Sequence, residues 1–365
     1  MNNKERLQWL DAMRGFTMIL VVMYHVAHVS FGMTDKLSSC QPFLVLFRMP
    51  LFFFVSGFLA YKAGMQWTGK TLGMLTLKKM KVQIIPAAIF LCVFTALCRK
   101  NFLDTLWASL QGPTKGGYWF TWVLLHMFLI YYVCCYVARR LGVTGQDWKG
   151  RALLALSLLT AITLYALSYM PPVMKQLDPT FKSFLDWSSL IQTVHYMQYF
   201  LLGNIVHRYW QQTQRLMDTQ WFFVLVLALA FVGTGDSLVW HNLKFMWRNL
   251  PLTVASYTLL MIVVMFFRHY KDAFTREHRI GSALQYIGTR TLDIYLLHFL
   301  FLPTLPMVGQ WFNHHRHNFV LDFTSSFLMA LVVIAFCLLT SNIIRVNPIL
   351  SEWLFGKKDP PRPSL

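Results

Sequence analysis

Charged residues are scarce in this chain. They make up 13% of the 365 residues, whereas an average soluble domain carries roughly 25%. Hydrophobic residues account for 56%, and apolar runs recur from Met13 to Leu350. Each run has about 20 residues, enough to cross the hydrocarbon layer of a bilayer. The polar gaps between the runs are too short for a separate soluble domain, so the composition predicts a polytopic membrane protein.

Cysteine is also scarce, and the cysteines are not spaced as in a disulfide-bonded fold or a metal site. Five of the six cysteines lie in or at the ends of apolar runs, and only Cys40 falls in an expected outer loop. This pattern excludes a disulfide framework and metal-ligand spacing. The first apolar run has no small-residue cleavage site after it and carries Arg14 and His25. We therefore expect a retained membrane span and not a signal peptide.

The basic residues predict the orientation of the spans. The net charge is +18, but Lys and Arg are distributed over many short loops, so we expect no nucleic-acid partner. Dense basic clusters follow the even-numbered spans, which places those loops in the cytoplasm. The same rule predicts that both termini are cytoplasmic. The residues concerned are Lys4, Arg6, Lys70, Lys78, Lys79, Lys81, Arg139, Arg140, Lys149, Arg151, Arg208, Arg215, Arg268, Lys271, Arg276, Arg279, Lys357, Lys358 and Arg362.

Hydropathy predicts an all-α protein with about ten transmembrane helices, forming one transmembrane domain over residues 1–365. The segment from Asn101 to Gln111 has apolar residues at helical spacing and predicts a short helix on the outer interface. No repeat of fixed period is present. The ten spans are centred near Val22, Phe53, Phe90, Phe128, Thr160, Leu201, Ala228, Met261, Leu297 and Val333.

Ionisable side chains within the spans are the candidate site residues. Each costs about 2.5–3.5 kcal/mol or more near the bilayer centre and therefore faces the protein interior. Arg14 and His25 lie eleven residues apart on the first span. Eleven residues correspond to about three helical turns and about 16 Å, so both side chains lie on one face and His25 lies deeper in the membrane. They are expected to line one cleft.

Two further histidines are predicted near the same depth. His298 lies on the ninth span, and His126 lies on the fourth span together with Trp119 and Trp122. Three histidines could converge at one level, although a histidine in a bundle also serves to hydrogen-bond two helices. No carboxylate or cysteine accompanies them at ligand spacing, so we predict no metal.

Polar residues near the ends of the spans allow more than one interpretation. Arg48 enters the second span, where it either joins the site or extends to the headgroups. The following Ser56-Gly57 pair is more typical of close helix packing. Asp293 on the ninth span is expected to pair with Arg290 or Arg14 near the inner surface, and Asp11 competes for Arg14.

Several of these stretches match a known family in order. The opening Leu10-Asp-Ala-Met-Arg14-Gly15 and the run to Tyr24-His25 resemble the first-span Arg-x10-His motif of acyltransferase family 3, bacterial membrane enzymes that acylate sugars. The resemblance extends over nearly the whole chain. The other matching stretches are Arg48 to Gly57, Trp119-Phe120, Phe200-Leu-Leu-Gly203, and Gly288 to His298 with its Asp-Ile-Tyr295 segment.

The chain departs from the family pattern at two places. Lys79-Met-Lys81 occupies the position of an Arg-x-Arg pair, and this replaces bidentate donors with point charges. Asp293 replaces a small residue before Ile-Tyr on the ninth span and therefore has no family role. We also expect a stand-alone form without an appended esterase-like domain.

The resemblance implies acyl transfer, most simply acetyl transfer, from cytoplasmic acyl-CoA to a hydroxyl of a cell-envelope sugar. His25 would be the general base, and His298 and Tyr295 would orient it. Arg48 would stabilise the oxyanion or hold the acceptor. Acyl-CoA would be a co-substrate, with no tightly bound cofactor. The phosphates of coenzyme A would be held by Arg14, Lys78, Lys79 and Lys81, and the acceptor by Trp119, Trp122 and His126.

One interpretation from another class stays open at this stage. A lipid-linked sugar or polysaccharide exporter would also have many spans, ionisable groups at mid-depth and aromatic outer loops. The expected location of an acyltransferase of this kind is the bacterial inner membrane. The acceptor, the acyl chain, the oligomeric state and the choice between direct transfer and an acyl-histidine intermediate are left open by the sequence.

Overall fold

The computed structural model describes residues 7–34, 38, 40–98, 101–143, 145, 147–170, 175–240, 250–315 and 318–356, and every regular element within these ranges is helical. Lys4, Arg6, Lys357, Lys358, Arg362 and the side chain of Trp240 lie outside the described residues. The helices are α1 Gln8–His25, α2 Cys40–Ala60, α3 Gly69–Lys79, α4 Ile85–Cys98, α5 Phe102–Gln111, α6 Trp119–Arg140, α7 Trp148–Ser168, α8 Pro179–Ser188, α9 Leu190–Arg208, α10 Trp210–Met217, α11 Gln220–Gly235, α12 Leu250–His269, α13 Arg279–Thr289, α14 Thr291–Phe301, α15 Pro306–His314, α16 Phe319–Ile344 and α17 Pro348–Phe355.

The predicted polytopic membrane protein is confirmed. Eight helices of the described part are long and apolar enough to cross a membrane, and a ninth span results if α14 and α15 count as one. These two helices are bent by 85°, because Pro303 and Pro306 cannot continue a helix. All ten predicted centres lie within helices, while the count of ten and the cytoplasmic termini stay predictions.

Helix α9 contains the predicted span centre Leu201 but is not among the eight candidate spans. It has 19 residues, enough to cross most of a bilayer, but several polar side chains lower its hydropathy. Three of these, Thr193, Gln198 and Asn204, are buried against other helices. A helix surrounded by protein needs no continuous apolar surface toward lipid.

The chain clusters into two compact units, and each is described by itself. The first comprises Met1–Val55 and Trp210–Asn342, and the second comprises Ser56–Tyr209 and Ile343–Leu365. The expected single domain over residues 1–365 stays a prediction.

In the first unit, α1 lies beside α13 and α14 and runs in the same direction. Gly288 faces the backbone of Asp11, and a Cβ at Gly15 would lie 2.0 Å from the carbonyl oxygen of Leu284. Thr291 follows on the same side and binds Arg14. These glycines permit a close backbone approach, because any side chain would clash there.

A carboxylate on α16, in the same unit, binds the backbone at the start of α2. The buried carboxylate of Asp322 accepts hydrogen bonds from Ser38 Oγ at 2.6 Å and from the Cys40 backbone N–H at 3.0 Å. The expectation that Cys40 lies in an outer loop was wrong, because this bond makes Cys40 the first residue of the helix and buries its side chain.

In the second unit, α2 approaches α9 at a glycine. A Cβ at Gly57 would lie 1.8 Å from the carbonyl oxygen of Phe200, which confirms the predicted close packing at Gly57. The third span is continuous from Gly69 to Leu97 but contains a π-helical turn at Met80–Ile84. Pro86 follows, and because it has no N–H, the regular hydrogen-bond ladder is interrupted there.

The predicted short helix is also confirmed in the second unit. It spans Phe102–Gln111, and Leu103 and Trp107 expose most of their side chains. Exposed apolar residues at this spacing suit a helix that lies on a membrane interface.

Candidate active site

Two histidines of the first unit form the centre of the candidate site. The Nδ1 atom of His25 lies 3.1 Å from the Nε2 atom of His298, and the two ring planes are nearly parallel, at 8°, with centroids 4.9 Å apart. His298 is fully buried, while His25 as a residue is only partly buried. Both histidines stand at or close to the ends of their α-helices, because α1 becomes a π-helical turn at Val26 and α14 ends at Phe301.

The hydrogen bonds determine the tautomers of both rings. Nδ1 of His298 lies 2.8 Å from the carbonyl oxygen of Tyr295 and 3.2 Å from that of Ile294. A carbonyl can only accept, so His298 carries its proton on Nδ1 and its Nε2 is an acceptor. His25 must then donate from Nδ1. The lone pair of the neutral His25 ring is therefore on Nε2, which is the atom available to take a proton from a ligand.

Tyr295 contributes to this arrangement through its backbone. Its ring centroid is 6.0 Å from that of His298, while its carbonyl orients the imidazole directly. Phe299 packs against both rings, with centroids 4.1 Å from His298 and 5.0 Å from His25. Phe299 was not predicted from the sequence, in which its only signal is its position next to His298.

Arg14 lies three helical turns before His25 on the same face of α1. Its guanidinium donates to Thr291 Oγ1 at 3.0 Å and to Asp11 Oδ1 at 3.3 Å. The competition expected from Asp11 is therefore present. About a quarter of the Arg14 side chain is exposed.

Asp293 takes part in a buried hydrogen-bond network with residues of α16. Its carboxylate accepts a hydrogen bond of 2.6 Å from Ser341 Oγ, and the same hydroxyl accepts one of 3.1 Å from Arg290. Ser341 thus mediates between the acid and the arginine expected to pair with it. The sequence held no signal for this serine, which is 48 residues away along the chain.

Arg48 lies beside the residue that precedes His25. Its guanidinium carbon is 3.5 Å from the ring centroid of Tyr24, and His28 stacks near the same ring at 5.8 Å. Arg48 is buried, so the alternative in which it extends to the headgroups does not apply. A guanidinium over an aromatic face is held by cation–π attraction. The sequence named Tyr24 only as part of a motif. In the structure its ring packs against the Arg48 guanidinium.

The predicted coenzyme-binding lysines belong to the second unit and have different surroundings. Lys78 is exposed. Lys79 Nζ lies 3.4 Å from the ring centroid of Phe128, and Lys81 Nζ lies 2.6 Å from Glu352 Oε1. An exposed pair of this kind contributes little stability, so it does not prevent Lys81 from binding another anion.

The predicted acceptor-binding residues also belong to the second unit. His126 Nδ1 lies 3.2 Å from Thr193 Oγ1 on α9. Trp122 lies edge-on to His126, and Trp119 stacks on Tyr196 with centroids 5.7 Å apart. The three residues are therefore gathered at one contact between α6 and α9. Thr193 and Tyr196 were not predicted, although the spacing of three residues places both on one helix face.

Comparison with known proteins decides the family. The family model described as an acyltransferase domain matches residues 7–342, nearly the whole chain. The chain belongs to acyltransferase family 3. Together with its apolar helices, this membership makes the chain a multi-pass membrane acyltransferase, with the lipid bilayer as its environment.

Curated relatives of this acyltransferase are distant but cover its full length. "Glucans biosynthesis protein C" of Escherichia coli strain SMS-3-5 is 20% identical over 383 residues, which cover 97% of this chain and 95% of the relative. The protein of the same name from Escherichia coli O157:H7 is 20% identical over 390 residues with the same coverage. No solved structure matches this chain.

Proposed function

We propose that this membrane acyltransferase transfers an acetyl group from acetyl-CoA to a hydroxyl of a cell-envelope sugar, with a glucan as the first candidate acceptor. The observation that carries the proposal is the hydrogen bond from His25 Nδ1 to His298 Nε2, which leaves the lone pair of neutral His25 on Nε2, where it can act as a base. The name of the relatives supports a glucan, and the bacterial inner membrane is the proposed location.

The proposed reaction needs one base and no resident cofactor. His25 Nε2 takes the proton of the acceptor hydroxyl as the oxygen attacks the thioester carbonyl carbon. The tetrahedral intermediate collapses, the carbon–sulfur bond breaks, and the His25 imidazolium returns the proton to the departing thiolate. The products are the sugar ester and coenzyme A. Converting a thioester into an oxygen ester demands positioning and charge stabilisation above all.

The remaining proposed roles are assigned to positively charged side chains. Arg48, held over Tyr24 near His25, is the proposed donor to the oxyanion or to the acceptor. The partly exposed Arg14 side chain is the proposed partner of a coenzyme A phosphate. Lys78, Lys79 and Lys81 are proposed for further phosphates as point charges. Acyl-CoA acts as a co-substrate that enters from the cytoplasm.

The proposed acetyl transfer is tested with purified protein. Full-length chain in detergent is incubated with acetyl-CoA labelled in the acetyl group and with glucose oligosaccharides, and acetylated sugar is measured by mass spectrometry. Other short acyl-CoAs are tested in parallel. We expect transfer with the wild type and a loss of about two to four orders of magnitude in His25→Ala, the usual contribution of a positioned base.

A measurement of acetyl-CoA binding distinguishes the loss of the base in His25→Ala from a loss of folding. His25→Ala should still bind acetyl-CoA, because the base acts mainly in the transition state. Full transfer activity in a folded His25→Ala protein would remove the base from the mechanism. An exporter without transferase chemistry would consume no acetyl-CoA in the presence of any sugar.

A further inference from the structure

We infer that Asp293 is a positioning residue for Arg14, an inference that rests on the proposed function only in making Arg14 the partner of a coenzyme A phosphate. Asp293 belongs to a hydrogen-bond network between α14 and α16 of the first unit. The network holds the first turn of α14, and Thr291 in that turn binds the Arg14 guanidinium. This chain carries Asp293 where the family pattern has a small residue, so the network is an addition to that pattern.

The groups of this network have defined donor and acceptor roles. A guanidinium can only donate, so Ser341 Oγ accepts the 3.1 Å bond from Arg290 Nη1. The single proton of the Ser341 hydroxyl is then directed to Asp293 Oδ2, 2.6 Å away. Asp293 and Ser341 are both buried. A short bond to a buried carboxylate is costly to break, because the hydroxyl and the acid each lose a partner that water does not replace there.

The network holds α14 on both sides of Thr291. Arg290 directly precedes α14, and Asp293 is the third residue of the helix. Because both bind one hydroxyl on α16, the backbone between them has a defined position relative to that helix. Thr291 is buried, and its Oγ1 accepts a 3.0 Å hydrogen bond from Arg14 Nη2. The same turn of α14 therefore connects α16 with α1.

Arg290 is held at a second point, on α13. Its guanidinium carbon lies 5.1 Å from the ring centroid of Tyr286, within the range of a cation–π contact. The Tyr286 hydroxyl donates to Asn342 Oδ1 at 2.9 Å, and Asn342 directly follows Ser341 on α16. The end of α13 and the start of α14 are thus both bound to the same short segment of α16.

Two partners of Arg14 differ in charge. Asp11, on the same helix, is a carboxylate 3.3 Å from Arg14 Nη1, whereas Thr291 is a neutral hydroxyl on another helix. If the first turn of α14 moves, the guanidinium loses its neutral partner and turns toward the acid. A phosphate must then compete with a carboxylate for the same donors. By holding Thr291 in place, the network preserves the affinity of Arg14 for a phosphate.

The experiment compares variants of the full-length chain in detergent. Asp293→Ala removes the acid at a position where the family pattern has a small residue, and Asp293→Asn keeps an oxygen that can accept from Ser341. Asp322→Ala is the matched control, because Asp322 is a second buried acid of the first unit and accepts a 2.6 Å bond from a serine, Ser38. The Kd for labelled acetyl-CoA, the kcat and KM of transfer, and the unfolding temperature are measured for each variant.

We expect Asp293→Ala to raise the Kd and the KM for acetyl-CoA about three- to tenfold, the scale of one hydrogen bond, with little change in kcat. Asp293→Asn should retain most of the affinity. Asp322→Ala should lower the unfolding temperature and leave the Kd unchanged. In a Thr291→Val background, Asp293→Ala should raise the Kd no further, because both changes act on the same contact of Arg14.

A Kd of Asp293→Ala equal to that of the wild type would overturn the inference. Equal losses of affinity in Asp293→Ala and Asp322→Ala would overturn it as well, since they would indicate a general effect on stability. Losses that add between Asp293→Ala and Thr291→Val would show that Asp293 does not act through Thr291. If Asp293→Ala does not fold, Ser341→Ala takes its place under the same criteria, because it removes the hydroxyl to which Asp293 is bound.

Failure of this positioning role can be distinguished from failure of the proposed function. A wild type that binds acetyl-CoA, with the expected loss in Asp293→Ala, but acetylates no sugar would retain the positioning role and reject the proposed transfer. Acetyl transfer to a sugar with equal acetyl-CoA affinity in the wild type and Asp293→Ala would retain the proposed function and reject the positioning role. A wild type that binds no acetyl-CoA would reject both.

Discussion

Gly15 contacts Gly288, and ten residues further along both segments, α1 on one side and α13–α14 on the other, His25 contacts His298. The two contacts share one register, because α1 and α13–α14 run side by side in the same direction. A Cβ on Gly288 would lie 1.8 Å from the carbonyl oxygen of Asp11, so the backbones touch there. The glycine contact therefore sets the separation at which the two imidazoles can form a 3.1 Å hydrogen bond.

The first prediction concerns this glycine contact. Gly15→Ala should lower kcat at least tenfold with little change in the KM for acetyl-CoA, because the methyl group pushes α1 away from α13 and lengthens the histidine contact. The same change in a His298→Ala background should have little further effect on kcat. Alanine favours a helix over glycine by about 0.5–1 kcal/mol, which offsets part of the lost packing and favours a folded variant.

Gly233→Ala is the matched control for the glycine prediction. Gly233 lies in the same unit, where a Cβ would come within 2.8 Å of the backbone nitrogen of Ala255. It crowds a different helix pair and should lower thermal stability without a selective effect on kcat. Equal kinetic losses in Gly15→Ala and Gly233→Ala would show that the glycines act through general stability.

The second prediction tests the tautomers. His298→Leu removes the acceptor for His25 Nδ1–H and should lower kcat by less than His25→Ala does, because His298 positions the base and does not take the substrate proton. His298→Gln retains an oxygen that can accept from His25 and should recover part of the activity. The double variant His25→Ala/His298→Leu should be no worse than His25→Ala. Additive losses, or identical activity of the Leu and Gln variants, would contradict the assigned roles.

The third prediction concerns Arg14. Arg14→Ala should weaken acetyl-CoA binding by about tenfold or more, the scale of one charge-assisted hydrogen bond. Thr291→Val is the control, since it removes the 3.0 Å bond that holds the guanidinium but keeps the charge, and its loss should be smaller. Equilibrium binding of labelled acetyl-CoA measures both. Unchanged affinity in Arg14→Ala would assign this arginine to a structural pairing with Asp11.

The fourth prediction is topological. Single cysteines at Lys79, Arg140 and Arg276 should resist a membrane-impermeant maleimide in intact cells, whereas cysteines at Trp107, Trp187 and His315 should react. The positive-inside rule places the first three in the cytoplasm. A cysteine at Leu328, an exposed side chain on the apolar helix α16, is the control that should react on neither side. Reaction at Arg140 from outside would reject the orientation.

The sequence by itself predicted the helices and placed Arg14 and His25 on one face of α1. All ten hydropathy centres fall within helices, and the spacing of Arg14 and His25 defined one face of α1, because apolar length and helical rise depend only on local sequence. The pattern also named Arg48, His298 and His126 as polar residues that must face protein.

Only the tertiary structure decided what those residues face. The partners come from other helices: Ser341 bridges Asp293 and Arg290, Tyr24 lies beneath Arg48, and Thr193 orients His126. Their partners depend on which helices approach closely, and that depends on packing between small residues and carbonyl groups. The tautomers of His25 and His298 follow from the same packing, because a proton position is set by the atom opposite each nitrogen.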